Sequence, residues 1–250
     1  MDDAGNGLRG LRPTPSPNLI ALLRHHYGFN LIHESRDLGG SSNLNLLLIT
    51  DSGRYVARVY RRYVSVARLE GVQLGRHILA QGGIPCAQPV LTRDGESWAV
   101  IDGRLVEVER FVAYDNHMDT WERLEVGLRW LGCIHSVLRG VSVPPEGKQP
   151  LFAIHIEPAD TLARTLRGTR RAREWGLTPH ELRLVEAAEE LAQGVTEAER
   201  AFVASVPRQL VHGDFWDNNV LFRESQVVLV TDLDFMGERA RIDDLATTLL

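Results

Sequence analysis

Hydrophobic residues in the first part of the chain come in short runs separated by polar turn residues. Three such runs, at positions 29–38, 44–50 and 54–60, predict strands of an antiparallel sheet, because Gly, Asp and Ser cluster where the runs end. Residues 64–81 have the apolar spacing of a helix that ends at Gly82. Three further strands are predicted at 88–92, 97–101 and 105–112.

The pattern changes to helices after this point. Within 119–138, apolar side chains recur three or four positions apart, and His135 continues the same buried face. Two more helices, at 161–174 and 179–202, carry many exposed charges, and short strands return after Gln209. The fold class is therefore α+β, with an antiparallel sheet in the first half and mainly helices in the second.

Composition excludes several classes of protein. The chain has 250 residues, 44% of them hydrophobic and 24% charged, which is typical of a globular protein with a sizeable core. A formal net charge of −5 gives no basic field for nucleic acid. No apolar run reaches the roughly 20 residues of a membrane helix, and the start of the chain does not resemble a signal peptide. Because Cys86 and Cys133 are the two cysteines, we expect a reducing cytoplasm and no disulfide framework.

The segment with the most chemical information is 211–222, which reads VHGDFWDNNVLF. Asp214 is followed five positions later by Asn219, and Asp232 comes thirteen positions after that. Phosphoryl transfer from a nucleotide uses one carboxylate to accept the proton of the attacking hydroxyl, and an amide and a second carboxylate to hold Mg²⁺. The apolar runs on either side of 223–226 predict a hairpin that brings Asn219 and Asp232 to the same end.

This motif, H-G-D-x-x-x-x-N over 212–219, resembles the catalytic loop of the aminoglycoside phosphotransferase and choline kinase superfamily. The resemblance is strongest over 210–250 and extends more weakly back to about Asp37. It implies a protein-kinase-like fold and phosphorylation of a small-molecule hydroxyl. Asp214 would be the catalytic base, and Asn219 and Asp232 would be the magnesium ligands.

The resemblance also implies two lobes. Residues 18–112 would form the nucleotide-binding N-lobe, and residues 113–250 the catalytic C-lobe. Residues 1–17, rich in Gly, Pro and Asn, are expected to be a flexible tail. Members of the superfamily generally continue with more helices after the segment that corresponds to the end of this chain, so the C-lobe is expected to be incomplete.

Supporting roles are expected for four further residues near the motif. His212 would pack beneath the loop, and Asp244, at the start of a helix, would brace the backbone of the loop. Asp234 would either contact a second metal or accept backbone hydrogen bonds. Trp216 would either line the acceptor site or pack the loop onto the core, and packing is the preferred reading.

A glycine-rich turn between two predicted strands is a candidate phosphate-binding loop, because glycine lets backbone N–H groups approach a phosphate closely. On its own the pattern also fits an ordinary turn, and no Gly-Lys-Ser/Thr follows it as in a Walker loop. The residues assigned to nucleotide binding in this turn are Gly39, Gly40, Ser41, Ser42 and Asn43.

Arg58 occupies the strand position at which kinases place a phosphate-binding lysine. An arginine can also bind phosphate, and in a bidentate manner. Its expected partner is Glu70 on the following helix, although Glu70 also fits a surface charge on an amphipathic helix. Glu109 and Phe111 are expected at the junction of the lobes, where the backbone would bind adenine.

The leading functional hypothesis is a phosphotransferase that uses ATP or GTP with Mg²⁺. Its acceptor would be the hydroxyl of an aminoglycoside-like compound, an amino alcohol or a sugar. Three alternatives stay open: a protein Ser/Thr kinase of the stress-response type, a homoserine kinase, and an inactive nucleotide-binding protein or fragment.

Overall fold

The computed structural model describes residues 12–149, 158–202 and 205–249. Five antiparallel strands form the sheet of the N-terminal part, in the spatial order β1-β2-β3-β5-β4. Their bounds are β1 (Ile32–Asp37), β2 (Leu44–Thr50), β3 (Gly53–Val59), β4 (Ala99–Ile101) and β5 (Arg104–Arg110). One face of this sheet packs against helix α1 (Leu19–Tyr27), which ends at Gly28 with a φ of 73°.

The predicted strand at 88–92 is wrong. This segment runs beside β5 but forms just an isolated bridge between Pro89 and Glu109. Proline has no N–H to donate to a ladder, so a regular strand cannot continue through it. The other predicted strands of the sheet are confirmed, with the 97–101 strand shortened to its last three residues.

Helix α2 (Val66–Gln81) crosses from the sheet to the second part of the chain. The Ser65 hydroxyl accepts a hydrogen bond from the Arg68 amide at 3.1 Å, which caps the first turn. The helix ends at Gly82, as predicted. Its buried Val72 and Leu79 belong to the large apolar cluster of the second part, and Leu69 belongs to a small cluster with Tyr60 and Leu105.

The second part combines helices with two small antiparallel sheets. The helices are α3 (Trp121–Val137), α4 (Pro145–Lys148), α5 (Pro158–Arg173), α6 (Pro179–Phe202) and α7 (Ile242–Leu249). The strands are β6 (Asn116–His117), β7 (Arg208–Val211), β8 (Val220–Arg223), β9 (Gln226–Val230) and β10 (Gly237–Ala240). Strand β7 pairs with β10, and β8 lies between β6 and β9. A single apolar cluster joins α2 and α3 to these strands. Among the described helices, none is long and apolar enough to cross a membrane.

The described part of the chain begins before the predicted lobe boundary. The Arg12 side chain binds both carboxylate oxygens of Asp37, at 2.9 and 2.6 Å, and the carbonyl oxygens of Gly39 and Asn43, at 3.1 Å each. Arg12 therefore contacts β1 and the turn after it, so the flexible tail predicted for 1–17 does not extend to this residue. Residues 1–11 of that predicted tail lie outside the described residues.

A buried charge network ties α2 to β5. The Glu107 side chain is fully buried and accepts hydrogen bonds from Arg76 Nη2 at 2.7 Å, from Tyr60 Oη at 2.7 Å and from Gln73 Nε2 at 2.8 Å. Burial alone would raise the pKa of Glu107, but the guanidinium of Arg76 and these donors lower it to about 2. The carboxylate is therefore charged and fully partnered inside the N-terminal part.

We predict that Glu107→Gln lowers the free energy of unfolding by about 3–5 kcal/mol, because it removes the main partner of a buried guanidinium. Urea unfolding of the variant and of the wild-type chain measures the difference. The matched control is Glu34→Gln on β1, where the side chain is exposed, and the expected change there is below about 0.5 kcal/mol. Equal effects of the two substitutions would contradict the role of the network.

Candidate active site

The site is organised by the hairpin of β8 and β9. Val220 pairs with Val230, and one step further the Thr231 amide donates to the Asn219 carbonyl oxygen at 3.0 Å. The predicted hairpin is thus confirmed, and it brings Asn219 and Asp232 to the same end. Residues 232–236, here called the Asp232 loop, follow directly from β9.

Residues 212–219 are here called the catalytic loop, after the kinase motif that they resemble. The backbone of this loop is bound by the Asp244 side chain in the first turn of α7. One carboxylate oxygen accepts the Gly213 amide at 2.7 Å, and the other accepts the His212 amide at 3.0 Å and contacts His135 Nε2 at 2.9 Å. Burial opposes the charge of Asp244, yet these donors lower its pKa. The structure therefore has Asp244 in the bracing position expected for it, and adds His135 as a partner that the apolar helix pattern did not indicate.

Gly213 is required by close packing of two loops. Its φ is +85°, and a Cβ there would collide with the carbonyl oxygen of Phe235 in the Asp232 loop. A side chain would therefore be strained and would separate the catalytic loop from the Asp232 loop.

His212 is a buried structural residue that links the two loops. Nε2 lies 3.1 Å from the Thr231 carbonyl oxygen, and Nδ1 accepts the Asp214 amide at 3.3 Å. These partners require the proton on Nε2, and burial lowers the pKa of His212, which keeps the ring neutral. The ring thus fixes the backbone at Asp214 and at Thr231. It does not itself face the cleft.

The Asp214 carboxylate is partly buried at the edge of the cleft. Asn219 Nδ2 donates to Asp214 Oδ2 at 3.0 Å and to the Asp214 carbonyl oxygen at 2.8 Å. Burial, followed by the negative charge of Asp232, raises the pKa of Asp214 to about 6. Since the amide nitrogen of Asn219 is used by Asp214, its oxygen remains as the group that would bind a cation.

Arg58 lies against two carboxylates of the Asp232 loop. Its Nη1 donates to Asp232 Oδ1 at 2.9 Å and is 3.5 Å from Asp234 Oδ2. Asn43 Nδ2 donates to the same Asp234 oxygen, which connects the glycine-rich turn to this loop. Burial raises the pKa of Asp234 to about 6, an effect that the Arg58 charge opposes.

The side chains at this edge fit a magnesium ion that is shared with phosphates. Asn219 and Asp232 supply hard oxygen donors at the same end of one hairpin. Mg²⁺ usually takes one or two carboxylates from the protein and the remaining ligands from phosphates and water. Within the described residues there is no group of three or more His, Cys, Asp or Glu side chains that could hold a metal ion.

The predicted pair between Arg58 and Glu70 is wrong. Arg58 is buried and has Asp232 and Asp234 as its acidic partners, whereas Glu70 is exposed on α2. Arg76, a buried ionic residue of the same helix, pairs instead with Glu107 and Glu109 on β5. Helical spacing alone did not distinguish the outward face of α2 from the face that contacts the sheet.

The glycine-rich turn (residues 38–43) forms the upper wall of the cleft. Gly39 and Gly40 have φ values of 85° and 104°, which agrees with a turn that needs glycine. Arg61 donates to the carbonyl oxygens of Ser42 and Ser41, at 2.8 and 2.7 Å. With these carbonyls bound to arginine, the turn is held against β3.

Glu109 and Phe111, the two residues predicted at the junction of the lobes, differ in their position relative to the cleft. Glu109 is buried, lines the cleft and accepts from Arg76 Nη1 at 3.3 Å, and burial raises its pKa. The Phe111 amide donates to the Arg54 carbonyl oxygen at 3.0 Å, and the Phe111 ring lies under the Arg54 guanidinium. The Phe111 N–H is therefore used by the sheet, so a nucleobase would have to bind other backbone groups of this segment.

A cleft that is open to solvent lies between the glycine-rich turn and the catalytic loop in the described part of the chain. Its volume, counted with the open solvent in it, is about 1520 Å³. Sequence reasoning missed Tyr114 and His117 in its wall, whose rings meet edge to face at 5.3 Å. Trp216 also lines the cleft and is 42% exposed, while the neighbouring Phe215 is fully buried. The preferred reading of Trp216 as a packing residue is therefore wrong, because Phe215 fills the core beneath the loop.

Comparison with known proteins agrees with this architecture. The amicoumacin kinase hAmiN, in complex with AMP-PNP, Ca²⁺ and Ami, matches 99% of this chain and 71% of its own, with a TM-score of 0.71 and 17% identity. Spectinomycin phosphotransferase APH(9)-Ia, in complex with ADP and spectinomycin, matches 93% of this chain and 73% of its own, with a TM-score of 0.68 and 17% identity. These likenesses confirm the predicted kinase-like fold.

Similarity in sequence points to the same group of proteins as similarity in structure. The homoserine kinase of Granulibacter bethesdensis is 26% identical over 218 residues, which is 84% of this chain and 61% of that enzyme. The chain thus spans about three fifths of the length of this curated relative. A model of the phosphotransferase enzyme family (APH) matches residues 34–250. Because this match covers most of the chain, the protein belongs to the phosphotransferase enzyme family.

Proposed function

We propose that this protein transfers the γ-phosphoryl group of ATP to a hydroxyl of a small molecule, with Mg²⁺ as the cofactor. The observation that carries the proposal is the hairpin of β8 and β9. It brings the amide of Asn219 and the carboxylate of Asp232 beside Asp214, at the base of a cleft that is closed above by the glycine-rich turn.

Asp214 is proposed to orient the acceptor hydroxyl and to take its proton. A carboxylate whose pKa lies near 6 is charged at neutral pH and is a somewhat stronger base than an ordinary aspartate. Asn219 fixes its direction through the 3.0 Å hydrogen bond. In phosphoryl transfer through a loose transition state, such positioning contributes more than basicity.

The positive side of the cleft is proposed to hold the phosphates. Arg58 is buried between Asp232 and Asp234, and phosphate oxygens are suitable partners for its guanidinium. In the turn above, the Gly40 N–H is proposed as a phosphate donor, whereas the Gly39 N–H donates to Asp37 Oδ1 at 2.8 Å. When bound, Mg²⁺ would neutralise phosphate charge between Asn219 and Asp232. ATP supply and the free Cys86 and Cys133 support a cytoplasmic location.

The acceptor is proposed to be an amino alcohol or an aminoglycoside-like compound. The curated relative is named a homoserine kinase, and the similar structures are an amicoumacin kinase and a spectinomycin phosphotransferase. Trp216, exposed beside Asp214, supplies an apolar surface for such a molecule.

Turnover of ATP and of GTP with Mg²⁺ should be measured against homoserine, simple amino alcohols, aminoglycosides, sugars and a protein substrate. We expect phosphate on a small amino-containing alcohol. Phosphate on protein would favour a protein kinase instead. Absence of both nucleotide binding and turnover would contradict the proposal and favour an inactive protein.

Asp214→Asn should lower kcat by about 10²–10⁴-fold, because the amide cannot accept the hydroxyl proton. Binding of AMP-PNP, measured by calorimetry, should change by less than about twofold, since Asp214 does not hold the nucleotide in this proposal. Asp217→Asn, the same change three residues on in the same loop, is the control and should leave kcat nearly unchanged. A fully active Asp214→Asn variant would show that another group is the base.

The pH profile should have an acidic limb near pH 6. The pKa of Asp214 is raised to about 6, so the carboxylate is charged above this pH and protonated below it. We therefore expect kcat/KM to be constant from about pH 7 upward and to fall about tenfold per pH unit below about pH 6. The pKa of Asp234 is also raised to about 6, so the Asp234→Asn variant is the control. If Asp214 is the titrating group, kcat/KM of this variant should still fall below about pH 6. A flat profile between about pH 5 and 7 would exclude Asp214 as the titrating base.

Arg58→Met should weaken AMP-PNP binding by about 10–100-fold, which corresponds to the loss of charge-assisted hydrogen bonds worth about 1.5–3 kcal/mol. Arg58→Lys should retain part of the affinity, because it keeps the charge and loses the bidentate geometry. The control is Arg54→Met on the same strand, where the side chain is exposed. If Arg58→Met binds AMP-PNP as the wild-type chain does, Arg58 does not bind phosphate, and its role is to partner Asp232 and Asp234.

A further inference from the structure

Arg68 joins three separate segments through one buried guanidinium. It lies in the first turn of α2 and is 2% exposed. Nη2 donates to the carbonyl oxygens of Asp234 and Met236, at 2.7 and 2.6 Å. Nη1 donates to those of Gly147 and Glu146, at 2.8 and 3.2 Å. A single side chain thus connects α2, α4 and the Asp232 loop.

The carbonyl between these two acceptors is also held by an arginine. Arg239 Nη2, from β10, donates to the Phe235 carbonyl oxygen at 3.0 Å. Three consecutive peptide groups of the Asp232 loop are therefore fixed by guanidinium groups, one from α2 and one from β10. Hydrogen bonds from charged donors are among the stronger ones in proteins, and burial removes competing water.

Two glycines on the same face as Arg68 allow α2 to approach this loop. A Cβ on Gly71 would come within 2.5 Å of Gly147 Cα, and a Cβ on Gly75 would come within 2.5 Å of Met236 Sδ. The backbone of α2 therefore lies closer to α4 and to the Asp232 loop than a helix with side chains at these positions would permit.

The Asp232 loop has a conformation that needs such support. Asp232 has φ 63° and ψ 53°, a left-handed conformation that is uncommon for a residue with a side chain. Its carboxylate and that of Asp234 lie near each other and near Arg58, so like charges are brought together. The hydrogen bonds from Arg68 and Arg239 fix the backbone at 234–236 and do not use the carboxylate oxygens of Asp232 and Asp234.

We propose that Arg68 is a positioning residue for the cation-binding carboxylate of Asp232, which it sets through the backbone of the Asp232 loop. The inference rests on the proposed function, because it assumes that this loop binds the divalent cation. Arg68 itself touches neither nucleotide nor metal in this assignment. Its loss should therefore weaken cation binding and leave nucleotide binding in the absence of a cation unchanged.

The test uses Mn²⁺ as the probe, because its unbound fraction is measured directly by electron paramagnetic resonance. Mn²⁺ is titrated into the wild-type chain and into Arg68→Gln and Arg68→Lys, each with saturating AMP-PNP. AMP-PNP affinity is measured separately by calorimetry in EDTA. Hydrogen exchange of the amides at 232–236 is followed in the metal-free protein.

The matched control is Arg61→Gln, which also removes an arginine that binds two backbone carbonyls, but in the glycine-rich turn. For Arg68→Gln we expect Mn²⁺ affinity to fall by about 10–100-fold, the usual effect of losing a group that orients metal ligands. The amides at 232–236 should exchange faster, and Arg68→Lys should recover part of both losses. Arg61→Gln should leave exchange at 232–236 unchanged.

Unchanged Mn²⁺ affinity in a folded Arg68→Gln variant would overturn the inference. So would an equal loss of Mn²⁺ and of metal-free AMP-PNP affinity, since that pattern indicates a general disturbance of the cleft. If Arg68→Gln does not fold, Arg68→Lys and Gly75→Ala decide, because the added methyl group displaces Met236 while Arg68 is intact. Normal Mn²⁺ affinity in both would contradict the inference. A wild-type chain that binds neither probe would instead refute the proposed function.

Discussion

The arrangement of the proposed reacting groups depends on the Asp244 carboxylate beneath the loop of residues 212–219. It is fully buried, and it accepts the amides of His212 and Gly213 and contacts the ring of His135. A buried carboxylate raises the free energy of the folded state unless its oxygens accept hydrogen bonds. Moving the loop backbone away would leave the Asp244 oxygens without the His212 and Gly213 amides. The direction of Asp214 follows from this constraint, because it is the next residue along the chain.

Acidic and basic side chains come from different elements around the cleft. Acidic side chains are concentrated at the ends of the β8–β9 hairpin, and the buried arginines come from the sheet, α2 and β10. Arg58 partners the carboxylates of Asp232 and Asp234, while Arg68 and Arg239 bind carbonyl groups of the same loop. Guanidinium groups thus support the acidic loop in two ways, by charge and by backbone orientation. Burial is the main cause of the raised pKa values of Asp214 and Asp234, and the negative charge of Asp232 adds to the rise at both residues.

Local patterns predicted much of the fold because the interactions that decide it are close in sequence. The hairpin of β8 and β9, the capped helix α2 and the antiparallel strands up to residue 60 follow from alternation, turn residues and caps. The segment 88–92 is not the predicted strand because Pro89 interrupts its ladder. Arg12 is not part of a free tail because its guanidinium binds partners that are distant in sequence.

The sequence alone determined the chemical inventory of the site and the order of its residues: a base candidate at Asp214, oxygen donors at Asn219 and Asp232, and a glycine at 213. These depend on spacing within one loop and one hairpin, which local geometry constrains. The tertiary structure decided which side chains meet across the lobes. It paired Arg58 with the Asp232 loop and left Glu70 exposed, and it buried Arg68 among backbone carbonyls. Such contacts depend on how α2 packs between a sheet and a loop more than 160 residues later, and no periodicity in the chain encodes that distance.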